Sequence, residues 1–200
     1  NQIIKCLKKN KIDFAETGKD HGTITAKINK QKFEITSLRK DISTDGRHAK
    51  VQFSKNWFED ASRRDFTINS IYSDLDGNLY DPFNGKRDLE NGRIVFVGEA
   101  EKRIKEDYLR ILRYIRFFLN YSKNSHDPNI KRIIRQNING VINLSKERLI
   151  NELKKIVLSN GFLKINEDEF CREIILLIFP QLKNINVFNS FNKYALENYL

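Results

Sequence analysis

The chain has 200 residues, of which 40% are apolar and 31% charged, with a formal net charge of +10 and a pI of about 9.5. That apolar fraction supports a packed core in one large or two small domains, and the absence of any apolar run of about 18 residues excludes a membrane-spanning helix. The excess of Lys and Arg favours polyanions such as nucleic acid or nucleotides.

In chain order, Ile3–Lys9 has a short helical pattern. Gly22–Ile28 and Lys32–Ser37 alternate as strands, with Ile24, Ala26 and Ile28 on one face and a turn at Asn29-Lys30. Lys40–Lys50 is polar and irregular and reads as a loop. Asn56–Ser62 reads as helix and Ile68–Leu75 as strand. Asp76-Gly77-Asn78 predicts a hairpin turn, with Leu79-Tyr80 starting the return strand. Asp81-Pro82-Phe83-Asn84-Gly85 predicts another turn, and Arg93–Val97 a last short strand closed by Gly98. Everything after Glu99 reads as helix: Glu99–Lys105, Asp107–Asn120, Asn129–Asn137, Lys146–Leu158 with Ser145 as N-cap, Asp168–Phe179, and a tail from Phe188. The expected architecture is α+β: a mixed part to about residue 97, then an all-helical part.

The opening segment is lysine-rich and lacks the apolar block of a secretory signal. A chain that begins at Asn1 and contains no methionine reads as an internal piece of a longer protein. Cys6 and Cys171 have no CxxC partner and read as reduced core cysteines of a cytosolic protein. His21, His48 and His126 show no metal-ligand spacing.

Two stretches carry chemistry. In Lys105–Leu119, apolar residues at helical spacing cover most of the circumference, and Arg110, Arg113 and Arg116 fill the remaining stripe. Asp107 falls in the expected first turn, one i,i+3 step before Arg110, so the two should touch. Such a stripe is either a solvated basic face or the wall of a site for an anionic, planar ligand. In Ser62–Asn69, Arg63, Arg64 and Asp65 stand just before an apolar segment. Arginine grips phosphate in a fork, and aspartate accepts from a ribose hydroxyl.

Arg64-Asp65-Phe66-Thr67-Ile68-Asn69, Asp81-Pro82-x-x-Gly85-x-x-Asp88-Leu89, Val97-Gly98 and Glu106-Asp107-x-x-Arg110-x-x-Arg113-x-x-Arg116-Phe117 occur in that order. They are flanked by His21-Gly22-Thr23 and Phe33-Glu34-Ile35-Thr36-x-x-Arg39 upstream, and by Ser145-x-Glu147-Arg148 with Glu152-Leu153 downstream. This combination resembles the bacterial tRNA nucleotidyltransferase (CCA-adding enzyme) and poly(A) polymerase family over about residues 20–158. The resemblance implies the C-terminal part of a nucleotidyltransferase palm over residues 1–97, a helical neck over 98–160 that binds nucleotide and RNA, and the start of a helical body over 161–200. It implies nucleotide-binding roles for Arg64, Asp65, Asp107, Arg110, Arg113 and Arg116, with Asp65 near the ribose and Glu34 as an accessory carboxylate. It implies Mg²⁺ as cofactor, tRNA, CTP and ATP as partners, and no membrane partner. The reaction implied is addition of the 3′-terminal CCA with release of pyrophosphate. A poly(A) polymerase, a CC- or A-adding relative, and a non-catalytic RNA-binding module are the alternatives, and Lys40–Lys50 is the candidate specificity loop.

The family's Asp-x-Asp metal pair precedes the His-Gly-Thr segment, and nothing in Asn1–Asp20 supplies it. Asp74-x-Asp76 lies after Arg64-Asp65 on a turn and is read as a turn. Base selection has a simple chemical form. A carboxylate accepts from an exocyclic amine and a guanidinium donates to an unprotonated ring nitrogen, so Asp107 with Arg110 would accept C and A and reject U and G.

Overall fold

The computed structural model describes residues 2–18, 22–44 and 49–182. These form two compact units that divide between Arg63 and Arg64. The fold is α+β, as the sequence predicts.

The first unit is built on a three-stranded antiparallel sheet of β1 (Asp13–Gly18), β2 (Thr23–Ile28) and β3 (Gln31–Thr36), preceded by helix α1 (Gln2–Lys9). The turn between β2 and β3 has Asn29 and Lys30 at φ 49° and 67°. Two successive left-handed residues fit the twist of a tight hairpin. Ile24 and Ala26 are buried against Leu7 of α1, with Ile3, Ile4, Ile12, Phe14 and Ile35 around them. Ile28, expected on the same face, is exposed at the strand end. Cys6 is exposed as well, because α1 buries only Leu7.

Where the sequence predicts an irregular loop over Lys40–Lys50, the structure has an antiparallel pair, β4 (Arg39–Thr44) and β5 (Ala49–Phe53). The sequence of β4 is polar apart from Ile42, and the predicted loop ends at Lys50, inside β5, before the apolar alternation of Ala49, Val51 and Phe53 is complete. Helix α2 (Trp57–Ser62) starts where Asn56 Oδ1 accepts from the Phe58 N–H at 2.8 Å. Its buried Asp60 accepts from the Arg39 N–H at 3.1 Å and from Arg63 Nε and Nη2 at 2.9 and 2.8 Å.

The second unit is organised around helix α5 (Leu109–Tyr121), whose Ile111, Leu112, Tyr114, Ile115 and Leu119 are almost wholly buried. Around it lie α4 (Ala100–Glu106), α6 (Pro128–Asn137), α7 (Lys146–Val157) and α8 (Glu169–Ile178). Ser145 caps α7 and Asp168 caps α8, each accepting from a backbone N–H in the first turn. The tail from Phe188 lies outside the described residues.

The segment before α4 is less regular than the sequence predicts. Instead of a strand over Ile68–Leu75 there is a 3-10 turn at Thr67–Asn69 and a two-residue strand, β6 (Tyr72–Ser73), paired with β7 (Leu79–Tyr80). The cause is local: Asn69 Oδ1 accepts from the Phe66 N–H at 3.1 Å, and the Ser70 hydroxyl donates to the Phe66 carbonyl at 2.9 Å. Such short-range side-chain bonds compete with a sheet ladder. Likewise Arg93–Val97 forms only a bridge, Phe66 to Phe96, rather than a strand. Phe66 is fully buried, its ring 4.8 Å from that of Phe96 and 5.0 Å from that of Phe117 on α5. A fully buried phenylalanine is worth about 1.5–3 kcal/mol, and this one fastens Asp65, its neighbour in sequence, beside α5.

The predicted Asp81–Gly85 turn leads directly into a helix, α3 (Gly85–Glu90), that the sequence reading missed. Asp81 accepts from the backbone N–H groups of Gly85 and Lys86 at 2.7 and 2.9 Å. Asp88 on α3 accepts from the Thr67 hydroxyl at 2.7 Å. A Cβ on Gly85 would stand 2.0 Å from the Thr67 carbonyl oxygen, so only glycine lets α3 approach this turn. Gly85→Ala should therefore destabilise the protein by about 1–3 kcal/mol, the usual cost of overpacking, measured by denaturant unfolding. An unchanged midpoint would show that the turn yields without cost.

Candidate functional site

The site begins at a break in the helix. The sequence predicts Asp107 inside the first turn of α5, but α4 stops at Glu106 and Asp107 is extended, at φ −154° and ψ 105°. Its Oδ1 accepts from the Leu109 N–H at 3.1 Å and so helps satisfy the start of α5. Outside the helix, Asp107 does not present its carboxylate one turn below Arg110. The expected side-chain pair is not formed, and the two residues meet only through the Arg110 N–H and the Asp107 carbonyl, at 3.0 Å. The carboxylate pairs instead with Arg148 of α7, whose Nη2 donates to Oδ2 at 2.7 Å.

Each arginine of the stripe is matched by a carboxylate. Arg110 Nε donates to Asp65 Oδ1 at 2.9 Å, and Arg113 Nε to Asp65 Oδ2 at 2.7 Å. Arg110 Nη1 also donates to the Arg103 carbonyl at 2.6 Å and to Glu106 Oε2 at 3.1 Å. Arg103 pairs with the same Glu106 carboxylate and donates through Nη2 to the Arg64 carbonyl at 2.8 Å. Arg116 Nε donates to Glu152 Oε1 of α7 at 2.6 Å, and that carboxylate is almost fully buried. The stripe is thus not a solvated basic face. Arg110 is only 9% exposed, whereas Arg113 keeps 28% of its side chain open.

The electrostatics follow from these contacts. Burial alone would push the Asp65 carboxyl up, but the charges of Arg113 and Arg110 and their hydrogen bonds outweigh it and hold the group below its ordinary value. Burial, then repulsion from Arg110, lowers Arg103 from its ordinary value against the pull of Glu106 and Asp65. Arg103, Arg110 and Arg113 against Asp65 and Glu106 leave one positive charge in excess, which suits a phosphate. The Arg64 guanidinium lies over the Tyr72 ring, 5.8 Å from its centroid. Arg64, Asp65, Asp107, Arg110, Arg113 and Arg116 all belong to this second unit, whereas Glu34 is on β3 of the first. Arg63, next to Arg64 in sequence, serves the first unit through Asp60.

Asp74 forms the predicted turn. Its Oδ1 accepts from the Asp76 and Asn78 N–H groups at 2.9 and 2.8 Å, and its Oδ2 from the Asn78 side chain at 2.9 Å. Among the described residues, the one group with mixed metal-type donors is His126, Asp168 and Cys171. No ligand spacing announces it, since His126 lies 42 residues before Asp168. Its donors are already occupied: His126 Nε2 is 3.0 Å from Asp168 Oδ2, Nδ1 is 3.0 Å from the Tyr114 hydroxyl, and the ring stacks on Phe118 at 3.5 Å. The trio joins α5 to α8. Burial opposes ionisation of Asp168, but the bonds from His126 and the Cys171 N–H prevail and hold the carboxyl at about 2.

Residues 1–95 match the family described as the poly(A) polymerase head domain. The chain is 51% identical over 145 residues to the human protein named CCA tRNA nucleotidyltransferase 1, mitochondrial, covering 72% of this chain and 33% of that one. It is 40% identical over 148 residues to the CCA-adding enzyme of Staphylococcus epidermidis, covering 72% and 36%. The solved CCA-adding enzyme of Bacillus stearothermophilus in complex with CTP superposes with a TM-score of 0.68 at 28% identity, over 88% of this chain and 44% of that one. The fold is that of a nucleotidyltransferase. The chain belongs to the tRNA nucleotidyltransferase and poly(A) polymerase family, and it spans about a third of the length of these curated relatives.

Two outcomes test the site's construction. Asp65→Asn should cost about 3–5 kcal/mol, since it strands buried guanidinium groups; a loss under about 1 kcal/mol in denaturant unfolding would mean that solvent replaces the carboxylate. Because the Asp168 carboxyl is depressed, its stabilisation is complete above its ordinary value of 3.8 and is lost as pH falls towards about 2. The stability of Asp168→Asn should accordingly fall less steeply than that of the parent over this interval, measured by unfolding at a series of acidic pH values.

Proposed function

We propose that this chain is the base-selecting portion of a tRNA nucleotidyltransferase that adds CCA to the 3′ end of tRNA from CTP and ATP, releasing pyrophosphate. The observation that carries this reading is that Arg110 and Arg113 meet on Asp65 while the Asp107 carboxylate stands at the break between α4 and α5, where the helix bearing both arginines begins. Family membership supplies the reaction, and this arrangement supplies a way to choose the nucleotide. A pure RNA-binding surface has no use for arginines held in fixed directions by a buried carboxylate beside a second, half-open carboxylate at the helix break.

In this reading the Asp107 carboxylate accepts from the exocyclic amine of cytosine or adenine. Arg110 donates to the unprotonated ring nitrogen; its Nε and Nη1 are engaged, so the donor is Nη2. Uracil and guanine would set an oxygen against the carboxylate and a protonated nitrogen against the guanidinium. Arg113 and Arg64 are assigned to the triphosphate. Asp65 acts on the ligand's surroundings through Arg110 and Arg113, and its carboxylate stands beside the ribose. Arg116, bonded to Glu152, holds α5 on α7.

A divalent metal serves the transfer in this family, and Mg²⁺ is the ion we assign: bound, it would align the attacking hydroxyl with the α-phosphate. The described residues do not fit it. Asp74 is consumed by its turn, and Glu34 is a single carboxylate on β3 with no second one opposite it. We assign the protein to a reduced, soluble compartment because both its cysteines are free.

The test is a competition among the four triphosphates in the complete enzyme, with tRNA lacking its terminal CCA. Asp107→Ala removes both the acceptor for the amine and the repulsion against uracil O4 and guanine O6. It should lower CTP and ATP efficiency and raise the relative use of UTP and GTP about ten- to hundredfold, the equivalent of about 1–3 kcal/mol. An unchanged ranking would reduce Asp107 to a helix-start residue and sink the base-reading role.

A further inference from the structure

We propose that Arg148 is a positioning residue for nucleotide selection: from α7 it fixes the plane of the Asp107 carboxylate. The inference rests on the base-reading role of Asp107 proposed above. It starts from the local backbone. Asp107 sits between two helices in extended conformation, so no helical turn constrains its side chain. Two bonds do so instead: the Leu109 N–H at 3.1 Å on Oδ1 and Arg148 Nη2 at 2.7 Å on Oδ2. A carboxylate held at both oxygens has a defined plane, and each oxygen keeps a second lone pair to offer an incoming amine.

Arg148 is itself held in place. Its backbone N–H donates to the Ser145 hydroxyl at the start of α7, at 3.4 Å. One turn further along the same helix face, Glu152 makes its buried bond to Arg116 on α5. Leu149 and Leu153 pack on the core from the same helix, where Ile156 is fully buried. Helix α7 therefore meets the α4–α5 region through two ion pairs of opposite polarity, Arg148 to Asp107 and Glu152 to Arg116. The second, dry pair locks α7 against α5. The first is about a quarter exposed at both partners and remains within reach of a ligand. A pair that served stability alone would gain little from standing at this half-open position, where exposed ion pairs are worth only about 0–1 kcal/mol.

The experiment uses the complete enzyme, with Arg148→Ala, Arg148→Lys and Asp107→Ala assayed side by side. For each nucleotide, kcat and KM are measured separately, and melting temperature is recorded. Arg148→Ala should relax selection against UTP and GTP about tenfold, mainly through kcat for CTP and ATP, because the base binds but is held less squarely. Arg148→Lys should restore part of the selectivity, since an ammonium keeps the charge but loses the guanidinium's planar fork. Combining Arg148→Ala with Asp107→Ala should relax selection no further than Asp107→Ala alone, because Arg148 acts through that carboxylate. Equal weakening of all four nucleotides by Arg148→Ala would make it a phosphate ligand and overturn the proposal. A fall in melting temperature with the ranking intact would overturn it too, in favour of a structural ion pair. If Asp107→Ala leaves the ranking unchanged, the base-reading role itself fails; if Asp107→Ala relaxes it and neither Arg148 variant does, only the positioning role fails. Should Arg148→Ala not fold, Arg148→Lys decides the matter by the same ranking.

Discussion

The second unit depends on one carboxylate shared between two guanidinium groups. Asp65 takes Arg110 on one oxygen and Arg113 on the other. Without that carboxylate, a helix as apolar as α5 would carry unpaired positive charges into a core, at a cost of several kcal/mol. With it, the arginines become fixed donors whose remaining nitrogens have set directions. The Phe66 ring, locked between Phe96 and Phe117, holds Asp65 in place from the other side. Behind that ring, the Thr67 turn is in turn pressed by α3 at Gly85. Position is thus handed from an apolar anchor to a carboxylate, and from the carboxylate to the arginines.

The same logic explains why the open and the buried residues of the site are interleaved. Arg110 is nearly buried and supported on three sides, by Asp65, Glu106 and the Arg103 carbonyl. Arg113 and the Asp107–Arg148 pair are more open. A rigid donor set surrounded by satisfied partners loses little freedom when a ligand arrives, which is the physical basis of preorganisation.

Much of this was legible in the sequence, and the failures have identifiable causes. The period of α5 and its arginine stripe could be read directly, because 3.6-residue periodicity survives any tertiary context. The cap at Ser145 and the turns at Asn29-Lys30 and Asp76-Gly77-Asn78 are local chemistry, and local chemistry is what a sequence displays. The break between α4 and α5 was read one residue early, at Glu106, because a single extended residue leaves the apolar pattern intact. With Asp107 counted in the first turn of α5, the i,i+3 rule gave it the wrong partner, and its true partner lies 41 residues on. The β4–β5 ribbon was missed because β4 is polar apart from Ile42 and the loop was ended at Lys50, which cuts the alternation of Ala49, Val51 and Phe53 on β5. The strand over Ile68–Leu75 was lost to the side chains of Asn69 and Ser70, which bond the backbone more closely than a sheet would. The resemblance implied nucleotide-binding roles for these residues without showing how each is held.

The pairing of the stripe also has a kinetic consequence. The carboxylate that Arg110 and Arg113 share lies 45 and 48 residues before them and that of Arg116 36 residues after it; only Arg110 also has a local partner, Glu106. No contact within α5 can replace them. As the polypeptide folds, this helix can form early but cannot be buried until both a segment well before it and one well after it have closed upon it. Each closure costs chain entropy before any bond is returned. The arginines therefore act as a coincidence check on assembly, admitting α5 to the core only when both sides of the chain have arrived.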